Sequence, residues 1–427
     1  MAKKILVLQV ACLDMGVVQK SMALQRETRL SFSPFQCVFP AVTCTAAATM
    51  RTALPPSQHG IICNGRYDRS TCKTEFWCQS AKLVRGGRIW DMARKACRTV
   101  GMLFTQQNLG ESVDFCMSPA PIHKHHGGMM QALQCKPSRL ESEMTAAVGR
   151  RFKLQNYWGP MACGEGSKWC AECTAALMSQ EKPDILFSYL PHLDYCLLRE
   201  GPNGKSIPRE ADLLGKCLGL LLDSAKRNDY EMVVWGDYSI TEVSHPIHPN
   251  RALLNAGLFE VRTVQGRQYP NLYDSGAFAL CDHQVAHVFC SSPQNAAKAR
   301  SVLENLPGVA KVQTPVEAGL DCPECGDLVL TAAQDSWFAY SWWEDNRVAP
   351  DYATHVDIHN KIGFDPAELF WGFPFLSTCL DFTKVRGSHG RSDAQPAFAV
   401  TNGLSELRSS SSLLELSKNL QSLFESL

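Results

Sequence analysis

Short apolar segments alternate with helical segments along the chain, and this rhythm constrains the fold more than any other feature. The strand candidates are residues 4–12, 99–104, 184–189, 232–235, 277–281 and 287–289. Helical patterns lie at residues 19–27, 46–52, 88–95, 210–227 and 295–305, and leucines three and four apart give the fourth of them one buried face. The alternation predicts an α/β fold with a mostly parallel central sheet and helices on both faces.

Polar residues follow four of the strand-like runs. They are Asp14, Thr43 (after the short run 37–39), Asp194 and Asp237. A single aspartate after a strand is often only a helix cap. Ligands in open parallel sheets bind beyond the carboxyl ends of the strands, so four such groups predict a common site at that edge.

The chain of 427 residues is longer than a single core usually supports, which predicts a main domain over residues 1–407 with a cap or insertion at about 120–169. The segment 120–169 is rich in His, Gly and Met and breaks the alternation. After four serines at 409–412, leucines recur at helical spacing. Residues 408–427 are therefore predicted to form an amphipathic helix on a flexible tether.

Charge and cysteine content restrict the class of protein. Lys and Arg together number 42, as do Asp and Glu, so no overall charge favours nucleic acid. No apolar run is long enough to span a membrane, and no leader peptide is recognisable. The 19 cysteines are predicted to be free thiols in a cytoplasmic protein, although the pairs Cys170/Cys173 and Cys322/Cys325 also have the spacing of zinc half sites. The oligomeric state stays open.

Two segments carry a resemblance to a known family. Residues 39–43 read FPAVT, and residues 52–61 read TALPPSQHGI. They resemble the nucleophile region of the nucleotide pyrophosphatase/phosphodiesterase branch of the alkaline phosphatase superfamily, which has an F-P-x-x-T motif and then T-G-x-x-P-x-x-H-G-I. The resemblance implies an alkaline-phosphatase-like fold and makes Thr43 the nucleophile, at a helix N-terminus whose N–H groups favour an anion.

Later segments follow the order of the same family. Residues 189–202 resemble its Y-x-x-x-x-D-x-x-G-H-x-x-G-P element, 235–238 its S-D-H-G element and 387–390 its G-T-H-G element. The resemblance implies metal ligation by Asp14, Thr43, Asp194, Asp237 and His389. Two divalent ions, Zn²⁺, Mn²⁺ or Mg²⁺, are the cofactors expected for such a site.

Three of the departures from the family pattern fall at positions that contact metal or phosphate in the family. Leu198 and Tyr238 stand where the family has histidine ligands, and Ala46 replaces an asparagine. Tyr238 is then expected to contact the substrate. The candidates to replace the lost ligands are Glu200, His192, Asp357 and His359. His355, Asp357 and His359 would share one face of an extended segment, although a polar strand edge gives the same pattern.

A basic cluster formed by His123, Lys124, His125 and His126 precedes two glycines. Such a cluster can bind an anionic substrate, and it can equally be a solvated loop.

Two classes of function remain open from the sequence. The first is a metal-dependent hydrolase that cleaves a phosphodiester, pyrophosphate or phosphomonoester through a phospho-Thr43 intermediate, with sulfate or phosphonate cleavage as related chemistry. The second is a catalytically silent binding or assembly protein that kept the fold after losing two histidine ligands. The retained Thr43 and carboxylates favour the first class.

Overall fold

A central sheet of eight strands forms the middle layer of the molecule. The computed structural model describes residues 3–125, 128–356, 359–372, 377–393 and 395–427. From edge to edge the strands are Ser33–Pro34, Ala397–Val400, Tyr230–Gly236, Lys4–Val10, Ile185–Leu190, Val100–Leu103, Phe115–Pro119 and Leu133–Lys136. The five strands from Tyr230–Gly236 to Phe115–Pro119 are parallel, and Ala397–Val400 and Leu133–Lys136 are antiparallel to their inner neighbours. The predicted mostly parallel sheet is confirmed.

Alternation along strand Ile185–Leu190 explains why helices cover both faces. Phe187 contacts Phe424 of the C-terminal helix, with ring centroids 6.3 Å apart. The next residue, Ser188, bonds Thr174 of helix Gly164–Gln180 at 2.7 Å. Successive side chains of a strand point to opposite faces, so these two helices lie on opposite sides of the sheet.

The α-helices have the following bounds: Met15–Gln19, Thr43–Thr52, Pro56–His59, Asp91–Lys95, Leu140–Val148, Leu154–Tyr157, Gly164–Gln180, His192–Glu200, Ile207–Arg227, Pro249–Asn255, Pro293–Glu304 and Leu413–Glu425. The predicted helix 19–27 is interrupted, because Met15–Gln19 ends and a π-helical turn, Ala23–Glu27, follows. Six short 3₁₀ turns are Ala81–Leu83, Asn346–Val348, Asp351–Thr354, Pro366–Glu368, Phe382–Lys384 and Asn402–Ser409.

A second, four-stranded antiparallel sheet contains two of the predicted strands. Its order is Ala277–Asp282, Val285–Cys290, Leu328–Ala332 and Val309–Gln313. The predicted strands at 277–281 and 287–289 therefore exist but form a hairpin outside the central sheet. Five two-stranded sheets complete the strands: Gly65–Asp68 with Lys73–Phe76, Ile122–His123 with Met129–Met130, Thr241–Glu242 with Gly387–Ser388, His245–Ile247 with Ser336–Phe338, and Val261–Val264 with Arg267–Pro270.

The run 37–39 before Thr43 is not a strand, which corrects the sequence-based expectation. The strand that precedes Thr43 is Ser33–Pro34, at the edge of the central sheet. Pro40 follows the run and has no N–H group for a sheet ladder.

The C-terminal helix lies against the main domain, where the sequence predicted a tether. Ser412 caps the helix by accepting from the Glu415 N–H at 3.2 Å. The Ser417 hydroxyl donates to the Met50 carbonyl at 2.7 Å. Leu420 and Phe424 are fully buried, so this helix is part of the core.

The segment expected as a cap or insertion contributes both to the sheet and to a wall over it. It supplies the edge strand Leu133–Lys136 and the helices Leu140–Val148 and Leu154–Tyr157. Among the described residues, no helix has the length and apolarity required to cross a membrane.

Candidate functional site

Thr43 is the first residue of helix Thr43–Thr52, directly after Val42, whose backbone is extended. Its side chain is nearly buried, with 3% of the residue exposed. The Thr43 hydroxyl lies 3.1 Å from the hydroxyl of Tyr238. Thr43 also lines a cavity of about 400 Å³, so its remaining surface opens to that cavity.

Tyr238 joins Thr43 to Asp194. Its hydroxyl donates to Asp194 Oδ1 at 3.0 Å. A phenol has one proton to donate, so the Thr43 hydroxyl is the donor toward the Tyr238 oxygen. The Cys12 thiol donates to the same Asp194 oxygen at 3.3 Å. Burial raises the pKa of Asp194 to about 6 even though both hydrogen bonds favour its ionised form.

Asp237 follows strand Tyr230–Gly236 and accepts three hydrogen bonds. Its donors are the Gln9 amide at 2.9 Å and the backbone N–H groups of Cys12 and Tyr238, each at 3.0 Å. Burial raises the pKa of Asp237 to about 7. Its position depends on Gly236, since a Cβ atom there would lie 2.0 Å from the Leu13 carbonyl oxygen.

His389 completes the group. Its Nδ1 donates to the Ala41 carbonyl at 2.9 Å. Its ring stacks on that of Tyr238, with centroids 3.7 Å apart and planes 11° apart. The His283 ring is 3.9 Å away on a tilted plane. Burial lowers the pKa of His389 to about 3 and favours the neutral ring, whereas its bond to the Ala41 carbonyl acts in the opposite direction.

Asn64 occupies the helix N-terminus behind Thr43. The Cys44 N–H donates to Asn64 Oδ1 at 3.0 Å. Asn64 itself donates to Asp282 from its backbone N–H at 2.8 Å and its amide at 3.1 Å. This helix end was predicted to bind an anion, but the Cys44 N–H already has a partner within the protein.

Asp14 was predicted to bind a metal ion, and in the structure its side chain caps a helix. Its carboxylate caps helix Met15–Gln19 by accepting from the Val17 N–H at 2.8 Å. The contacts to Asp194 and Asp237 are made by Cys12 instead. The first strand ends at Val10, two residues earlier than the predicted end at Cys12. The positive φ of 58° at Cys12 then turns the chain, so Cys12 occupies the place after the strand that was predicted for Asp14.

Two of the candidate replacement ligands point elsewhere. Glu200 accepts from Ser206, from its N–H at 3.0 Å and its hydroxyl at 2.6 Å. His192 Nε2 donates to the Glu210 carbonyl at 3.1 Å, between two helices. His359 does line the cavity, and its Nδ1 donates to the Phe76 carbonyl at 2.9 Å. Asp357 lies outside the described residues.

The basic cluster of the insertion is exposed. His123, Lys124 and His125 lie on the surface, and none is among the described residues that line the cavity, whereas the nearby Ala120 and Pro121 are. His126 lies outside the described residues. The His123 ring lies 6.0 Å from that of His359, which lines the cavity, so a substrate contact by this cluster stays a prediction.

The residues at this site do not fit a pair of divalent ions. Zinc sites need three or four His, Cys or carboxylate ligands around each ion. In the part of the chain that the structure describes, no three such residues are arranged to hold an ion, the two C-x-x-C pairs included. The reasons are local: Leu198 offers no ligand atom, Tyr238 bonds to Asp194, and Asp237 has accepted three N–H donors.

The cavity beside Thr43 has a volume of about 400 Å³, which lies within the range of small-molecule sites. Eight Phe, Tyr and Trp side chains line it, together with Asp194, His283, Glu368 and His359. Tyr157 and Trp158 come from the insertion, and Phe364 comes from the segment after the second sheet.

Sequence reasoning missed Cys12, His283 and Glu368. Cys12 was counted inside the first strand, and its polar contacts were not visible from an apolar run. The pair Asp282-His283, in the turn of a hairpin of apolar strands, was a signal that could have been used. Glu368 sits in a 3₁₀ turn with no motif around it, so only the structure reveals it.

Several solved structures share this fold. A phosphonoacetate hydrolase from Sinorhizobium meliloti, in complex with phosphonoformate, has 14% sequence identity and a TM-score of 0.64, covering 99% of this chain and 96% of that one. Human ectonucleotide pyrophosphatase/phosphodiesterase 5 has 13% identity and a TM-score of 0.62, covering 99% and 95%. The inactive murine counterpart, a Thr-to-Ala variant in complex with AMP, has 13% identity and a TM-score of 0.60 over the same shares.

No curated protein sequence matches the chain. The family model for type I phosphodiesterase/nucleotide pyrophosphatase matches residues 22–365. That range includes Thr43, Asp194 and Asp237. Enzymes of this family generally use divalent metal ions. With most of the chain matched by this family model, the protein belongs to the type I phosphodiesterase/nucleotide pyrophosphatase family.

Proposed function

We propose that this chain is a ligand-binding member of its family, which holds a small organic molecule beside Thr43 without two-ion phosphoryl transfer. The observation that carries the proposal is the position of Tyr238. Its hydroxyl bonds Thr43 and Asp194, and its ring lies on His389. Thr43, Asp194 and His389, which two ions would have to bind, are thus already in contact with the buried side chain of Tyr238.

The electrostatics of the site support the same proposal. Burial raises the pKa values of Asp194 and Asp237 to about 6 and about 7 and lowers that of His389 to about 3. Each shift favours the uncharged form of its group. Such a site is suited to a ligand that brings no phosphate charge.

The second candidate is metal-dependent hydrolysis of a phosphate ester through phospho-Thr43. It is supported by the placement of Thr43 in the first turn of a ten-residue helix, at the cavity wall, with Asp194, Asp237 and His389 close by. In this case the Thr43 oxygen would accept the phosphoryl group of a diester, pyrophosphate or monoester. Divalent ions would supply charge neutralisation, held by Asp194, Asp237 and His389.

The decisive experiment measures metal content and hydrolysis on the same protein. Purified chain is incubated with Zn²⁺, Mn²⁺ or Mg²⁺, desalted and analysed by mass spectrometry for metals. It is then assayed on bis-p-nitrophenyl phosphate and p-nitrophenyl phosphate beside Thr43→Ala. We expect far less than one retained ion per chain, and equal, background rates for both proteins.

A matched variant tests whether the two lost histidines are the cause. Leu198→His combined with Tyr238→His restores both imidazoles of the family pattern, and we expect it to retain metal when the wild type does not. Two retained ions in the wild type, with hydrolysis abolished by Thr43→Ala, would overturn the proposal and establish the second candidate.

A further inference from the structure

The wall of the cavity beside Thr43 is largely aromatic. Its eight Phe, Tyr and Trp side chains include Trp77, Trp158 and Phe364. Aromatic side chains bind planar rings by stacking and edge-to-face contacts, and their faces attract cations. The shape and lining therefore favour a ligand with an aromatic body.

The charges of the wall have one sign. In the described residues, the lining includes the carboxyl groups of Glu75, Asp194 and Glu368 but no lysine or arginine. Lys361 is a buried lysine that lies close in sequence to the lining residues His359 and Phe364. Its ammonium group donates to the Asp365 carboxylate and to the His355 carbonyl, each at 2.8 Å. A phosphate group in this cavity would therefore lie beside carboxyl groups and would meet no lysine or arginine among the described lining residues.

Glu368 is a largely buried carboxyl group at the cavity wall, and burial raises its pKa well above the usual range. The residue is 7% exposed and lines the cavity. Its carboxyl makes no hydrogen bond or ion pair with any part of the chain that the structure describes. Buried carboxyl groups are normally satisfied, so one left open at a cavity wall indicates a donor supplied by a ligand.

We propose that this cavity binds a planar aromatic molecule bearing a positively charged nitrogen group, with the nitrogen facing Glu368. This inference rests on the proposed function, because a site loaded with two cations would instead attract phosphate. The aromatic wall contacts the ring system, and the charge-assisted hydrogen bond to Glu368 sets its orientation. His283, whose Nδ1 is buried without a partner, is a second polar contact available at the wall.

Three naphthalenes substituted at the same position test the charge preference. The probes are naphthalene-2-carboxamidine, naphthalene-2-carboxamide and 2-naphthyl phosphate, which are cationic, neutral and anionic. Dissociation constants are measured by calorimetry on the full chain, in buffer containing EDTA. We expect the amidine to bind at least about tenfold more tightly than the amide, and the phosphate to show no saturable binding.

Glu368→Gln keeps the side-chain shape and removes the carboxylate; because burial raises the pKa of Glu368, that carboxylate forms when a cation binds beside it. It is expected to weaken amidine binding by about tenfold or more and to change amide binding by less than about threefold. Glu75→Gln is the matched control, because Glu75 lines the same cavity with its side chain 54% exposed, where solvent screens the charge. If Glu368→Gln fails to fold, Trp158→Leu replaces it and should weaken the amidine and the amide together.

The outcomes separate this inference from the proposed function. Amidine affinity unchanged in Glu368→Gln or in Trp158→Leu, or no binding of any probe, would overturn the ligand class alone. Naphthyl phosphate that binds only with added Zn²⁺ and is released by EDTA would instead overturn the metal-free function on which the inference rests.

Discussion

At the scale of single residues, the hydroxyl of Tyr238 connects the Thr43 hydroxyl to the Asp194 carboxylate. Replacing it in Tyr238→Phe keeps the ring on His389 but leaves Thr43 and Asp194 without that partner. We expect the free energy of unfolding to fall by about 1–3 kcal/mol, because a buried acceptor loses its donor. Urea unfolding measures this, with the 74% exposed Tyr273→Phe as control. No difference between the two variants would contradict the buried contact.

His59 gives the stability a pH dependence. Its Nδ1 accepts from the Ile61 N–H at 3.1 Å, so its Nε2 carries the proton toward Thr49 at 2.9 Å. Burial lowers the pKa of His59 from 6.5 to about 3. The folded state therefore excludes a proton that the unfolded chain binds. The contribution of the neutral His59 ring to the free energy of unfolding is complete above pH 6.5. It is lost as the pH falls from 6.5 toward 3, by up to about 1.4 kcal/mol per pH unit.

Chemical unfolding between pH 4 and 7 checks this dependence. His59→Gln removes the titrating ring, so its unfolding free energy should vary less steeply with pH than that of the wild type. Equal slopes would show that His59 is protonated in the folded state.

Sequence motifs identify some residues of the site and not others. Thr43, Asp194, Asp237 and His389 belong to short segments whose spacing is local, so they could be named from the sequence. Cys12 could not, because its role depends on where strand Lys4–Val10 ends and on the turn after it. Glu368 is brought to the cavity only by tertiary packing.

At the scale of elements, the C-terminal helix behaves as part of the core. Leu420 is fully buried in the helix, which packs on helix Thr43–Thr52. Leu420→Ala should lower the free energy of unfolding by about 2–5 kcal/mol, as other buried leucines do. The exposed Lys418→Ala, in the same helix, is the control and should have little effect. A helix that is only tethered would make both variants equally harmless.

The sequence predicts which segments are strands better than which strands pair. The runs at 277–281 and 287–289 have the apolar pattern of buried strands, and both are strands in the structure. Their hairpin lies outside the central sheet because pairing depends on turn geometry and on contacts with distant segments. In the same way, an amphipathic pattern identifies the C-terminal helix without showing what covers its apolar face.

At the scale of the whole molecule, all 19 cysteines lie in the described residues and each is a free thiol. Burial raises the pKa of many of them, including Cys116 and Cys217, to about 12. We expect a disulfide-exchange reagent to count 19 thiols in denatured protein, with or without prior reduction. In native protein the exposed Cys97 and Cys163 should react first. A lower count that reductant restores would reveal disulfides and contradict the structure.

The site depends on contacts between segments at opposite ends of the chain. The Ala41 N–H donates to the Gly390 carbonyl at 3.0 Å, and strand Ser33–Pro34 pairs with Ala397–Val400 at the edge of the central sheet. At a synthesis rate of 5–20 residues per second, roughly 20–70 seconds separate the synthesis of the segment around Thr43 from the synthesis of these partners. A ribosome-bound chain that stops before Gly387 lacks these partners, so we expect the segment around Thr43 to reach its final position only after residues 387–400 have been synthesised.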